Sequence, residues 1–403
     1  SSSNASSSNA SKNVSNSLTR VDFGLKTNFE KDLSWVETNK ELLLSSYSSS
    51  SSTKNSPDTF FLTGATGFLG IFILYDLLSL SFVKQIFCLI RGCDSDQAAV
   101  NRLINQLKFY KLPPLDKNQL SRITVVHGNL DEPFFSLPEQ NFFKIGQQID
   151  VFIHNAARVN GLMPYSSLLK PNVGGTMEAI RLCAVKKAAL CYVSTLSVFS
   201  GAPGVCSEHD QPTIQYLDMM SGYASTKLVG ERLVQSAIKE KIVDPLRSFV
   251  IRPGTISASK KTAVSNPHDF LSRFLTALIK MKQVPTFPPN SRIFEMVPVD
   301  IVSKEIITFS TIGMMTSPVQ TFHVLNEKGS PTLASIYDAI EKVVGNIKRL
   351  PFSQWKAELQ SQCSGSDATN PLFPLLSYFR AGFPNPPGRF TEKITLSTLN
   401  NIK

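Results

Sequence analysis

No pair of cysteines in this chain has the C-x-x-C spacing of a zinc ribbon or a redox motif. The six stand apart at Cys88, Cys93, Cys183, Cys191, Cys206 and Cys363. This pattern reads as a reduced, cytoplasmic protein without a zinc site. No run of about 20 apolar residues is present, as a membrane span needs. The longest apolar stretch, 68–83, is interrupted by Gly70 and Asp76. The first 19 residues lack the apolar core of a signal peptide and are nearly all Ser, Asn, Ala, Lys and Val, a linker composition. Residue 1 is Ser, so we expect a segment of a larger multidomain chain. No internal repeat and no nucleic-acid-binding signature is visible.

What is present is a chain of 403 residues, long enough for one large α/β core and a smaller lobe. Lys and Arg total 41 against 31 Asp and Glu, a formal net charge of +10. A solvated basic surface accounts for that charge, and so does a surface for an anionic cofactor and an acidic protein partner. Lys260, Lys261, Lys280 and Lys282 are the lysines we expect near the mouth of a substrate lobe.

Short apolar runs at 59–62, 85–90, 123–128, 151–154, 190–194 and 248–252 alternate with helical patterns at 67–80, 95–109, 172–187 and 223–240. This specifies an α/β fold with a Rossmann-type, doubly wound parallel sheet. The run 321–325 reads as a late strand, 285–289 as an extended proline-rich segment, and 270–279 and 300–308 as helices. Residues 330–380 read as helices of a second lobe. The expected division is a linker with a short arm at 1–57 and a dinucleotide-binding domain at 58–258, with return of 294–326. A smaller, mainly helical lobe takes 259–293 and 327–403.

The first apolar run stops at Gly64-Ala65-Thr66-Gly67-Phe68-Leu69-Gly70, a G-x-x-G-x-x-G turn that opens a helix. Such glycines let the backbone turn sharply and approach a pyrophosphate at the helix N-terminus. The second run ends in Arg91, where an acidic residue would bind the free ribose hydroxyl of NAD. An arginine suits the 2′-phosphate of NADP, and Arg102 on the next helix is a second candidate. Tyr223 and Lys227 form Y-x-x-x-K on one helical face. An ammonium beside the phenol is expected to lower its pKa toward neutrality, so that Tyr223 can protonate a carbonyl oxygen as hydride arrives. Thr195, at the end of the fifth run, is placed to hydrogen-bond the substrate carbonyl, with Ser194 and Ser197 as alternatives.

These motifs, in this chain order, resemble the extended short-chain dehydrogenase/reductases. Within them the chain is similar to the thioester reductase domains of polyketide and nonribosomal peptide synthases, carboxylic acid reductases and aminoadipate reductase. The segments that carry the resemblance include His154-Asn155-Ala156-Ala157-Arg158-Val159-Asn160, Asn172-Val173-Gly174-Gly175-Thr176, Gly222 to Lys227 with Glu231, Arg252-Pro253-Gly254-Thr255-Ile256 and Val297-Pro298-Val299-Asp300.

The resemblance implies NADPH as cofactor. It implies cofactor contacts from Gly64, Thr66, Gly67, Phe68, Leu69 and Gly70, from Arg91 and Arg102, and from Asn129 and Leu130. Asn155, Ala156, Ala157, Asn172, Lys227, Pro253, Gly254 and Ile256 complete that set. It implies a partner, an acyl or peptidyl carrier domain presenting a phosphopantetheine thioester. Hydride addition with proton donation from Tyr223 gives a hemithioacetal that collapses to an aldehyde and a thiol. A second hydride would give an alcohol. Two departures stand out. Asn129 replaces the usual Asp that faces the adenine amino group, and Thr226 replaces the usual Ser before Lys227. The competing readings are a fatty acyl-CoA reductase, a sugar-nucleotide epimerase or dehydratase, and an inactive NADP-binding module.

Overall fold

The computed structural model describes residues 29–45, 56–213, 221–287, 295–311, 320–326, 329–363, 370–379 and 389–402. The stretch 1–19, most of 46–57, and Pro288 and Pro289 of the proline-rich segment lie outside them. Seven strands form one sheet: β1 (Thr59–Thr63), β2 (Gln85–Ile90), β3 (Ile123–His127), β4 (Val151–His154), β5 (Ala189–Val193), β6 (Phe249–Pro253) and β7 (Gln320–Val324). Their order is β7-β6-β5-β4-β1-β2-β3, and every pairing is parallel. The strand order reverses between β1 and β4, so their carboxyl ends open a crevice where ligands of such sheets bind. Strands β1, β4, β5 and β6 are wholly buried. That is why they read as continuous apolar runs rather than as alternation.

Beyond the N-terminal arm, the longer helices among the described residues are α1 (Phe68–Leu78), α2 (Asp96–Phe109), α3 (Gly175–Ala184), α4 (Gly222–Lys239), α5 (Phe270–Met281), α6 (Val299–Thr311), α7 (Leu333–Val344), α8 (Phe352–Gln362) and α9 (Lys393–Ile402). Helices α1 and α6 pack on one face of the sheet, around Phe60, Leu74 and Ile306. Helices α3 and α4 pack on the other, around Phe61, Ile180 and Val234. A third core joins α5, α7 and α8 around Phe274, Tyr337 and the fully buried Trp355.

The N-terminal arm is two short helices, Phe29–Leu33 and Trp35–Ser45. It braces α4: Ser236 donates to Glu37 at 2.6 Å and Lys40 pairs with Glu240. The Tyr165 hydroxyl donates to Asp32 at 2.8 Å.

Two expectations change. The helical pattern at 172–187 is a regular helix only from Gly175 to Ala184. Leu169–Gly174 forms a wider π turn that contains Pro171, which has no N–H to give to the helical ladder. Lys348–Pro351, expected to be helical, pairs in parallel with Gln283–Thr286 instead. Among the described residues no helix is long and apolar enough to cross a membrane.

Candidate active site

Gly64 follows β1 with φ +75°, and the Gly67 N–H donates to its carbonyl at 2.9 Å, closing the turn. Helix α1 then starts with no side chain capping its first N–H groups. Those donors and the helix dipole suit an anion. A cavity of about 720 Å³ opens here. Gly64, Thr66, Gly67, Phe68 and Leu69 line one wall. Asn155, Ala156 and Ala157 line a second, and Pro253, Gly254 and Ile256 a third. Gly70 stands behind the wall, where a Cβ would fall 1.9 Å from the Gly64 carbonyl oxygen. The turn, the open helix end and the cavity's size fit a dinucleotide.

Arg91 and Arg102 face the end of the cavity beyond β2. Arg102 Nη1 donates to the Arg91 backbone carbonyl at 3.0 Å, which ties the Arg102 guanidinium to the end of β2. Asn129 and Leu130 line the same end. Asn129 Oδ1 accepts from the Asp131 N–H at 3.3 Å, so one of its lone pairs serves the loop itself. Arg158 also lines the cavity and pairs with Asp131 at 3.1 Å, joining the loops after β3 and β4.

Asn172 does not line the cavity. It is buried, accepts from the Arg158 N–H at 2.7 Å, and donates to the Arg158 carbonyl at 3.2 Å and to Thr226 Oγ1 at 2.9 Å. Its amide latches the β4 loop to helix α4. Buried His154 does similar work. Thr176 Oγ1 gives its proton to the Asn172 carbonyl at 2.7 Å, so it must accept from the ring, and Thr63 Oγ1, which accepts from the Ala156 N–H at 3.1 Å, donates to His154 Nδ1 at 3.0 Å. His154 Nε2–H then faces Thr176 Oγ1 at 3.3 Å. This network sets the tautomer. Burial first, then the charge of Lys227, pushes the His154 pKa down to about 3, so the ring is neutral.

Thr195, Tyr223 and Lys227 line the cavity together. Thr195 is extended and caps the turn Leu196–Phe199, accepting from the Ser197 N–H at 3.2 Å. Ser194 and Ser197 also reach the cavity. The Ser194 hydroxyl is committed to buried Glu231, whereas the Thr195 hydroxyl donates only to Ser197 Oγ, at 3.2 Å on the cavity wall, which favours Thr195 over Ser194 as the donor to a substrate. Tyr223 and Lys227 occupy the first turns of α4, whose N-cap Ser221 accepts from the Ala224 N–H at 3.2 Å. Lys227 is 2% exposed, and its Nζ lies 4.2 Å from the centre of the Tyr192 ring.

Burial moves these two pKa values in a direction that corrects the sequence-based expectation. Tyr223 is pushed up to about 12 by desolvation. Lys227 is brought down to about 7 by desolvation, which Glu231 opposes in part. A lysine that is half neutral near pH 7 is a weak stabiliser of phenolate, so desolvation wins. Tyr223 therefore stays protonated at neutral pH, ready to donate.

Sequence reasoning missed the opposite rim of the cavity, formed by Asn266, Asp269, Phe270 and Leu271 at the start of α5. Asp269 was legible as an N-cap, and it accepts from the Ser272 N–H at 2.7 Å. Lys280 and Lys282 lie at the other end of α5, about 18 Å away at 1.5 Å per residue. None of the four lysines expected at the mouth lines the cavity.

Comparison with known proteins places this architecture. The non-canonical nonribosomal peptide synthetase cpsA of Aspergillus campestris is 32% identical over 78% of this chain and 30% of its own length. The L-2-aminoadipate reductase large subunit of Eremothecium gossypii is 33% identical over 80% of this chain and 24% of its own length. The chain thus spans less than a third of these relatives. The crystal structure of the terminal R domain from the myxalamid PKS-NRPS biosynthetic pathway superposes with a TM-score of 0.77 at 30% identity, covering 91% of this chain and 92% of that one. The model of an NAD-binding family described as male sterility protein matches residues 62–306, so the chain belongs to that family.

Proposed function

We propose that this chain reductively releases an acyl group held as a phosphopantetheine thioester on a carrier domain, with NADPH as reductant and an aldehyde as product. The observation that carries this reading is the convergence of Thr195, Tyr223 and Lys227 on one cavity with the glycine turn of α1 and with Arg91 and Arg102. The names of the relatives, a nonribosomal peptide synthetase and the terminal R domain of a PKS-NRPS pathway, support a carrier-bound substrate.

When bound, NADPH supplies the hydride that reaches the thioester carbonyl carbon. Thr195 and Tyr223 orient the carbonyl oxygen and stabilise the charge that develops on it. Tyr223 gives that oxygen its proton, and its high pKa keeps the proton available until an alkoxide forms. Lys227, as the ammonium, hydrogen-bonds the nicotinamide ribose and steadies the phenol. The C–S bond of the hemithioacetal then breaks, leaving aldehyde and thiol. The test is direct: incubate the chain with NADPH and a carrier-bound acyl thioester, follow loss of NADPH absorbance, and trap the aldehyde. An acyl-CoA arm runs in parallel. No NADPH oxidation with either substrate sinks the reading, and a preference for acyl-CoA replaces the carrier.

Two predictions arise here. Arg91→Asp should weaken NADPH binding by about one to two orders of magnitude, since it removes a charge-assisted contact, and leave NADH within a few-fold. Equal loss for both cofactors, read by fluorescence titration, would remove Arg91 from the 2′-phosphate. Thr195→Ala should slow kcat on the order of 10²–10³, the usual effect of losing one oxyanion donor. A rate within twofold of wild type would pass the role to Ser197.

A further inference from the structure

Three segments must keep their register for this site to work: the end of β5 with Thr195, the first turns of α4 with Tyr223 and Lys227, and the end of β6 with Pro253 and Gly254. One side chain touches all three. Glu231, 1% exposed, lies one turn beyond Lys227 on the same face of α4. Its Oε1 accepts from the Ser194 hydroxyl, the neighbour of Thr195. It also accepts from Arg252 Nε at 3.0 Å and, through Oε2, from Arg252 Nη2 at 2.8 Å. Arg252 is fully buried on β6, directly before Pro253.

The guanidinium is itself fixed on its outer side. Its Nη1 donates to the Asp210 carbonyl at 3.3 Å and faces His323 Nε2 at 3.4 Å. Its Cζ lies 4.9 Å from the centre of the Phe199 ring. His323 Nδ1 donates to the Thr391 carbonyl at 2.8 Å, which leaves Nε2 as the acceptor.

We propose that Glu231 is the positioning residue of this site: its single carboxylate fixes the register of Thr195, Tyr223 and Lys227 and supplies the negative charge that favours Lys227 as the ammonium. A buried ion pair contributes little net stability against an apolar pair of the same size, so stability alone is a poor account of it. The register argument gives it a task. So does the charge. Lys227 is faced by Glu231 and Tyr223 from α4, by neutral His154 from β4 and by the Tyr192 ring from β5. Glu231 is the one anion among them. Glu231 in turn is faced by Arg252 from β6, by Arg232 from α4, and by Tyr192 and Ser194 from the β5 side.

This proposal uses the thioester reading only in its rate assay; NADPH affinity tests it without turnover. A chain that reduces no thioester would therefore sink that reading and leave this test in force. Three variants separate positioning from support of the fold: Glu231→Gln, the apolar replacement Glu231→Leu with Arg252→Met, and Ser194→Ala. Glu231→Gln should lower kcat on the order of 10²-fold, as a misplacement of about 1 Å does, and leave NADPH affinity at pH 6 within a few-fold. The loss of NADPH affinity with rising pH should start at lower pH than in wild type, because removing the anion lowers the Lys227 pKa. The double variant should recover the melting temperature that Glu231→Gln loses, without recovering the rate. It also carries the pH reading if Glu231→Gln does not fold. Ser194→Ala keeps the ion pair, so it should melt like wild type, lose several-fold in kcat and leave the pH profile unmoved. An unshifted pH profile without Glu231, a double variant that regains the rate with its stability, or a Ser194→Ala rate equal to wild type overturns the proposal.

Discussion

Tyr223→Phe should reduce turnover by roughly 10²–10⁴-fold, the range supplied by one positioned acid, and leave NADPH binding close to wild type. The substitution removes one oxygen from a ring that lines the cavity and breaks no hydrogen bond among the described residues. Lys227→Ala should lose both turnover and affinity, because the ammonium is assigned to the ribose as well as to the phenol. Burial holds Lys227 at about 7, below its usual value near 10.5. The sign follows: below pH 7 the ammonium is present and affinity is high, and affinity starts to fall as the pH rises past 7. Lys227→Ala should flatten that dependence. Stopped-flow rates and NADPH titrations from pH 5.5 to pH 9, a range chosen to bracket that value, check both statements. Wild-type turnover in Tyr223→Phe would end the proton-donor role. A pH-independent wild-type affinity would end the ammonium role.

Most of the sheet was legible because its strands are buried on both faces. A run such as Phe60-Phe61-Leu62 has no polar residue to blur it, and the glycine turn marks where it stops. Tyr223 and Lys227 were legible because i and i+4 share a face whatever the surroundings. Burial was not legible, and it decides the charges. The same Y-x-x-x-K pair would titrate differently on an exposed helix, where the ammonium and not desolvation would set the phenol. Asn172 was placed against the cofactor on the strength of its motif. The structure turns its amide inward, onto the backbone of Arg158 and the hydroxyl of Thr226. That choice depends on the wide turn at Leu169–Gly174, which no local pattern announced. Lys348–Pro351 was missed for a related reason. Its strand character comes from pairing with Gln283–Thr286, more than 60 residues away, and not from its own four residues. Glu231 had a visible signal, a third member at i+8 on the face of Tyr223 and Lys227, but its partner Arg252 is joined to it only by the fold.

Gly70→Ala should unsettle the protein far more than Gly67→Ala, though both belong to one motif. The Cβ added at Gly70 would fall 1.9 Å from the Gly64 carbonyl oxygen, 2.6 Å from its carbon and 2.9 Å from Asn155 Nδ2. Two of those atoms are backbone, so no rotamer change relieves the contact. Helix α1 must move away from β1, or the turn at Gly64 must open. Overpacking of this kind costs about 1–3 kcal/mol and at times more, and the backbone clash puts Gly70→Ala at the upper end. At Gly67 the added Cβ meets only the Gly64 oxygen, at 3.2 Å, and φ is an ordinary −84°. A shift of a few tenths of an ångström absorbs it. Gly67 nevertheless lines the cavity at the N-terminus of α1, where the pyrophosphate is proposed to rest, so its methyl would crowd that group. Gly70→Ala should therefore lower the melting temperature by several degrees and lose NADPH binding with it. Gly67→Ala should melt near wild type and still bind NADPH on the order of tenfold or more weakly. Thermal melts beside NADPH titrations separate the two. Equal melting temperatures for the two variants would mean that α1 and β1 are not held as closely as the clash requires. Full NADPH affinity in Gly67→Ala would move the pyrophosphate off this helix end.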